Sequence, residues 1–194
     1  MKKLYLIRHG ETDFNKAKVY YGATDCPLNS NGRKDGEKLA KSFEKIPIDF
    51  IYTSPLIRAS ETANIIFRGK DIPTQEDDRI KEMNFGIWEG KYYKDLEGDP
   101  IYNEWMENWE DTAPPNGESY NQLAIRVEAF YEDLLKTKSE NVAVVCHNAV
   151  LMLLLPAILS LTRTQGWHFC FEHGKYTYID FADDFPVLKG LNIK

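Results

Sequence analysis

Two stretches of this chain run apolar and then stop on a histidine. Leu4-Tyr5-Leu6-Ile7 ends at Arg8-His9-Gly10, and Asn141-Val142-Ala143-Val144-Val145-Cys146 ends at His147. Short runs this rich in strand formers read as buried parallel strands. Ligands of open parallel sheets sit in the crevice outside the carboxyl ends of the strands, so two such strands at one sheet edge can bring both imidazoles around one anion. Arg8 adds a cation, Gly10 a backbone that a ligand can approach closely, and Glu11-Thr12 with Asn15 further hydrogen-bonding groups within one turn. Asn148-Ala149-Val150 then opens an apolar helix whose free amides and dipole favour negative charge. Two more charged residues lie in suggestive places. Arg58 falls in the first turns of a helix that follows a strand, and Glu82 falls in a loop rich in glycine and aromatics. Taken alone, Arg58 reads as a solvated helix end and Glu82 as one surface acid among 30 acidic residues.

The elements that must hold these groups follow from periodicity. Tyr20 to Asn29 has the glycine, proline and Asx chemistry of an irregular loop lying over the site. Asn29 or Ser30 caps a helix from about residue 31 to 44, with Leu39, Ala40 and Phe43 on its apolar face. Residues 48–53 form a second strand, and Ser54-Pro55 signals the helix that carries Arg58. Residues 72–75 read as a short strand, and 79–90 as a structured loop. Residues 91–115, with Tyr92, Tyr93, Tyr102, Trp105 and Trp109, read as short helices flanking a pocket. A helix over residues 119–136 precedes the strand that ends at His147. Tyr176 to Phe181 alternates as an antiparallel edge strand, and the tail from Val187 offers one more. His168 and His173 fall in the connection before that edge and read as loop or surface histidines.

Composition narrows the function classes. A chain of 194 residues and 22.5 kDa suits one domain, 43% hydrophobic and 28% charged as in ordinary soluble globular proteins. A net charge of −6 and a pI near 5.3 argue against nucleic acid or an anionic membrane as partner, since both need an extended basic surface. Cys26, Cys146 and Cys170 show no metal-ligand spacing and suit a reducing cytoplasm. The apolar stretch at the start is cut by Arg8, and the one from Val150 to Leu161 is too short for a bilayer and holds Pro156.

Four motifs, Arg8-His9-Gly10, Ser-Pro-Leu-x-Arg-x-x-x-Thr-Ala from Ser54, Glu-x-x-Phe-Gly-x-Trp-Glu-Gly from Glu82, and Gly117-Glu118-Ser119, resemble those of the histidine phosphatase superfamily. That superfamily includes the cofactor-dependent phosphoglycerate mutases. The resemblance implies an α/β fold of three layers, α/β/α, with a mostly parallel sheet and an antiparallel edge strand. It implies one domain over residues 1–194, with 91–115 as a pocket-flanking insertion. The implied activity is metal-independent hydrolysis of a small phosphomonoester through a phosphohistidine, with no cofactor. His9 is then the nucleophile, its other ring nitrogen donating to a backbone carbonyl of the following loop, and Glu82 the proton donor. Arg8, Arg58 and His147 neutralise the phosphoryl group, and Asn15, Gly22 and Asn148 complete the phosphate-binding set. His147 becomes a cationic donor if it is protonated beside the dianion. Asn148 stands where the family commonly has glycine, and Tyr21 where relatives often carry glutamine. The short chain, the Tyr-Gly-x-Thr-Asp-x-Pro-Leu loop and the Phe-Gly-x-Trp-Glu-Gly motif look most like the α-ribazole phosphatase branch. The alternatives are a phosphoglycerate mutase, which uses the same charged groups but excludes water after the first transfer, and a phospho-ligand binding module without turnover.

Overall fold

The computed structural model describes residues 1–194. In chain order its elements are β1 (Lys3–Arg8), α1 (Asp13–Ala17), α2 (Ser30–Phe43), β2 (Phe50–Thr53), α3 (Ile57–Ile66), β3 (Thr74–Glu76), α4 (Pro100–Glu107), α5 (Tyr120–Leu134), β4 (Asn141–Cys146), α6 (Asn148–Ile158), β5 (Tyr176–Ala182) and β6 (Phe185–Ile193). Short 3-10 turns at Asp78–Ile80, Gly86–Trp88, Tyr93–Leu96 and Arg163–His168 shape the connections. The strands form one sheet in the order β3-β2-β4-β1-β5-β6. Its first four strands run parallel, while β5 pairs antiparallel with β1 and β6 antiparallel with β5. The expected edge strand is thus half of a hairpin, completed by the tail.

Alternation along the central strands makes the three layers. Tyr5, Ile7, Ala143 and Val145 pack with Leu39 and Phe43 of α2 and Ala59, Ala63 and Ile66 of α3. Leu4, Leu6, Val142, Val144 and Cys146 face the other way, into a core built from α5, α6 and the aromatics Trp88, Tyr102 and Trp105. Because both faces are covered, β1 and β4 read as unbroken apolar runs. No helix is long and apolar enough to cross a membrane.

Boundaries moved where a local signal met a tertiary one. The third strand starts at Thr74, two residues later than its composition suggests: Pro73 has no N–H to give a ladder, and only its carbonyl pairs, accepting from Ile51 N–H at 3.0 Å. Helix α3 starts at Ile57, beyond the Ser-Pro signal, and Leu56 at its N-cap gives no side-chain cap. The cap comes instead from the distant loop, with Asp25 Oδ1 accepting from Ile57 N–H at 2.8 Å.

Leu6 is 1% exposed, paired between Val144 of β4 and Thr177 of β5. Leu6→Ala should lower the free energy of urea unfolding by about 2–5 kcal/mol at unchanged m value.

Candidate active site

Strand register brings the two histidines together. Arg8 pairs with Cys146 in the β1–β4 ladder, so the next residue of each strand, His9 and His147, stand side by side with ring centroids 5.1 Å apart. Both are buried, at 2% and 0% exposure. His9 Nδ1 lies 2.7 Å from the Gly10 carbonyl, which can only accept, so Nδ1 carries the proton and Nε2 keeps its lone pair. The expected carbonyl partner is therefore present. Gly10 is held in turn: its N–H donates to Thr62 Oγ1 at 3.1 Å, and Thr62 donates to the Arg58 carbonyl at 2.7 Å. What the missing Gly10 side chain admits is protein backbone rather than ligand, since a Cβ there would lie 2.5 Å from the Gly32 carbonyl oxygen. His147 Nε2 lies 2.8 Å from Ser54 Oγ, which accepts from Leu56 N–H at 3.3 Å. That arrangement lets Ser54 donate its proton to His147, leaving Nδ1, buried and without a partner, as the free N–H.

Two arginines close over the histidines. Arg58 is fully buried. Its Nη1 and Nη2 donate to the carbonyls of Thr24 and Gly22 at 3.0 and 2.7 Å, and its guanidinium lies 4.7 Å over the Tyr21 ring. Arg8 Nη1 donates to the Phe171 carbonyl. The Nε atoms of both arginines are buried without partners, and neither guanidinium forms an ion pair. Gly22, expected among the phosphate ligands, has both backbone groups engaged: its carbonyl on Arg58 and its N–H on Glu89 Oε1 at 3.1 Å. It reaches the site through Arg58. Asn15 Oδ1 accepts from the N–H and hydroxyl of Thr12 at 3.0 and 2.9 Å, so only its NH2 remains to face an anion.

Glu82 sits at the N-terminus of α6, where its carboxylate accepts from Ala149 N–H at 3.2 Å and Met83 N–H at 3.0 Å. Its loop is clamped from α5. Arg126 donates to the carbonyls of Arg79, Lys81 and Glu82 at 2.7, 2.6 and 3.1 Å and pairs with Glu118 at 2.6 Å. Beside Glu82 opens a cavity of about 520 Å³, walled by Tyr20, Phe85, Trp105, Met106, Trp109 and Trp167 among others. Asn148 lines it too, its NH2 lying 3.1 Å from Met152 Sδ.

Comparisons with known proteins bear on this constellation. Residues 4–194 match the family model described as histidine phosphatase superfamily (branch 1). The chain belongs to that superfamily. It is 35% identical to the adenosylcobalamin/alpha-ribazole phosphatase of Salmonella typhimurium over 193 residues, covering 98% of this chain and 96% of the relative. It is 31% identical to phosphoserine phosphatase 1 of Hydrogenobacter thermophilus, covering 100% of this chain and 93% of that one. The crystal structure of the alpha-ribazole phosphatase from Shigella flexneri superposes with a TM-score of 0.93 at 32% identity, covering 98% of this chain and 96% of the other. As a histidine phosphatase the protein hydrolyses phosphomonoesters.

In this histidine phosphatase, burial and then the nearby cations set the charge of the imidazoles. Burial holds His9 well below its ordinary value, helped by Arg8 and Arg58, and burial does the same for His147, helped by His9, Arg58 and Arg8. Both are neutral at pH 7, as a nucleophilic imidazole requires; His147 can take a proton only with negative charge beside it. His168 is exposed, as its loop position suggests. His173 is not a surface residue: its ring stands 5.5 Å from that of His9, and its Nε2 is buried. The antiparallel edge strand carried the signal. A strand starting at Tyr176 and pairing with β1 must bring the residues just before it to the end of β1. Arg126 gave no such signal, being one charged residue on an amphipathic helix.

Protonation of the buried histidines in the unfolded chain sets a pH dependence. Between pH 6.5 and the lower folded values, the unfolded state binds more protons, so stability falls as pH falls through that window. His147→Gln removes one such group, and its unfolding free energy should fall less steeply below pH 6.5, by up to about 1.4 kcal/mol per pH unit. Equal slopes for variant and wild type would mean that His147 titrates normally in the folded protein.

Proposed function

We propose that this phosphatase acts on a small phosphomonoester whose alcohol carries a flat, uncharged aromatic system, with α-ribazole 5'-phosphate as the substrate, through a phosphohistidine on His9. The observation that supports the substrate is the cavity. Its wall is aromatic and thioether, and Glu82 is its one charged residue. A benzimidazole can stack there. The carboxylates of phosphoserine and 3-phosphoglycerate would meet an acid and no cation. In this reading residues 91–115 are an insertion within one domain, supplying Trp105, Met106 and Trp109 to the wall. A substrate of this size calls for no nucleic acid or membrane partner. We take the cytoplasm as the compartment, where Cys26, Cys146 and Cys170 stay reduced.

The chemistry runs in two displacements. His9 Nε2 attacks phosphorus in line, the ester P–O bond breaks, and the leaving alkoxide takes the Glu82 proton. Water, losing a proton to Glu82, then attacks the phosphohistidine; the P–N bond breaks and its electron pair returns to Nε2. Arg8 and Arg58 hold the equatorial oxygens as guanidinium groups that stay charged at any working pH, and the free donors of His147, Asn15 and the α6 N-terminus with Asn148 add to them. No metal or cofactor enters these steps.

A phosphate-release screen tests the substrate. The kcat/KM for α-ribazole 5'-phosphate should exceed those for phosphoserine and 3-phosphoglycerate at least about tenfold, the factor given by roughly 1.4 kcal/mol of aromatic contact. Preference for 3-phosphoglycerate, or its conversion to the 2-isomer after priming with bisphosphoglycerate, would instead make the chain a mutase.

Variants separate the roles. His9→Ala should form no phosphoenzyme. Glu82→Gln should slow α-ribazole 5'-phosphate by about 10²–10⁴-fold while sparing p-nitrophenyl phosphate, whose leaving group needs no proton. Arg126→Met, by loosening the Glu82 loop, should show the same selectivity with a smaller loss. Equal losses on both esters would count against a proton-donor role for Glu82.

A further inference from the structure

Five buried side-chain nitrogen atoms lack a hydrogen-bond partner: Arg8 Nε, Arg58 Nε, His147 Nδ1, Trp105 Nε1 and His173 Nε2. A fold rarely leaves such atoms orphaned, because each costs about 1–3 kcal/mol unless something else satisfies it. Three of the five belong to the phosphate-binding groups proposed above, and Trp105 lies in the cavity wall. The fifth, His173, belongs to none of these groups.

Its backbone is fixed against the end of β1. Gly174 N–H donates to the carbonyls of Arg8 and His9, each at 3.2 Å, and Arg8 N–H donates to the Lys175 carbonyl at 3.3 Å. Since β1 lies between β4 and β5, His147 leaves the β4 side of β1 and His173 approaches from the β5 side. The two rings flank His9, with centroids 5.1 and 5.5 Å from its own. The charged groups facing His173 are Arg8 on β1, Glu11 on the following loop and Asp35 on α2.

We propose that His173 is a third imidazole of the phosphate site, its Nε2–H donating to an oxygen of the phosphoryl group held at His9. The proposal rests on the reading of Arg8, His9, Arg58 and His147 as the phosphate cradle. It requires no change of charge: burial, and then Arg8, push the imidazole down to about 4, so at neutral pH the donor is a neutral N–H. The same neutrality explains how a third imidazole can stand beside Arg8 without adding positive charge.

The test compares His173→Phe, which keeps a ring and removes the donor, with His173→Gln, which keeps an N–H donor. Inorganic phosphate binding is measured by calorimetry at pH 7, with thermal melts alongside. His173→Phe should weaken phosphate binding about tenfold or more, the factor expected for a hydrogen bond to a charged group. It should not lower Tm, because an orphaned buried nitrogen has been removed. His173→Gln should stay within about threefold of wild type. In the wild-type protein, the His173 ring 15N signal, assigned by its absence in His173→Gln, should shift when phosphate is added. Phosphate affinity unchanged in His173→Phe, equal weakening in both variants, or an unmoved ring signal overturns the proposal and leaves the cradle reading intact. A wild-type protein that binds no phosphate at all overturns both.

Discussion

Two guanidinium groups are buried at the centre of this molecule with no carboxylate paired to either, and the rest of the site follows from that. Arg58 is fully buried, and both Arg8 and Arg58 are held only by backbone carbonyls. Carbonyl dipoles orient a cation without cancelling its charge, so the site retains a net positive field in a dry environment where such a field is strong. That field keeps the two central histidines neutral and suits the place to a dianion. Ion pairing with a resident carboxylate would stabilise the fold but would compete with the substrate.

Holding such groups takes structure from every direction. The loop over residues 21–28 grips Arg58 through the carbonyls of Gly22 and Thr24, while Glu89 in turn accepts from the N–H groups of Gly22, Ala23 and Thr24. Thr62 ties the Arg58 helix to the Gly10 turn, so the nucleophile and the arginine share one support. Substitution of Thr62 would therefore disturb both groups without touching substrate. Ser54 performs the corresponding task for His147. These supports explain why the Ser-Pro-Leu-x-Arg-x-x-x-Thr motif has the residues it has: the serine orients an imidazole, the arginine meets the anion, and the threonine locks the turn.

The parallel strands and the two histidines that end them were legible because a strand buried on both faces is written as an unbroken apolar run. The run's last residue marks the functional edge of the sheet. Residues 91–115 were legible as a pocket wall from their aromatics alone. What could not be read was pairing at a distance. Asp25 caps α3 across 32 residues of chain, and Arg126 reaches the Glu82 loop from another helix. Gly10 was legible as a point of close approach, but whether ligand or Gly32 approaches depends on how α2 packs. His173 was passed over because its place depends on the antiparallel register of β5 against β1, and the same alternating residues could have paired elsewhere.

The two faces of the sheet divide the work. His9 and Arg58 are supported from the side of α2 and α3, where packing is aliphatic apart from a few rings around Phe43. The cavity belongs to the opposite core, where Tyr20, Phe85, Trp88, Tyr102 and Trp105 contact one another edge to face or tilted. Glu82 lies where the halves meet, on the N-terminus of α6, the helix that directly follows His147. A change in the aromatic wall therefore alters which alcohol fits while leaving the arginines and imidazoles where their own supports hold them. A change at the α6 N-terminus cannot be so confined, because Glu82, Asn148 and His147 share those few residues. Asn148, standing where glycine is common, extends a side chain from that junction into the cavity. It is the one substitution that bears on the phosphate end and the alcohol end together.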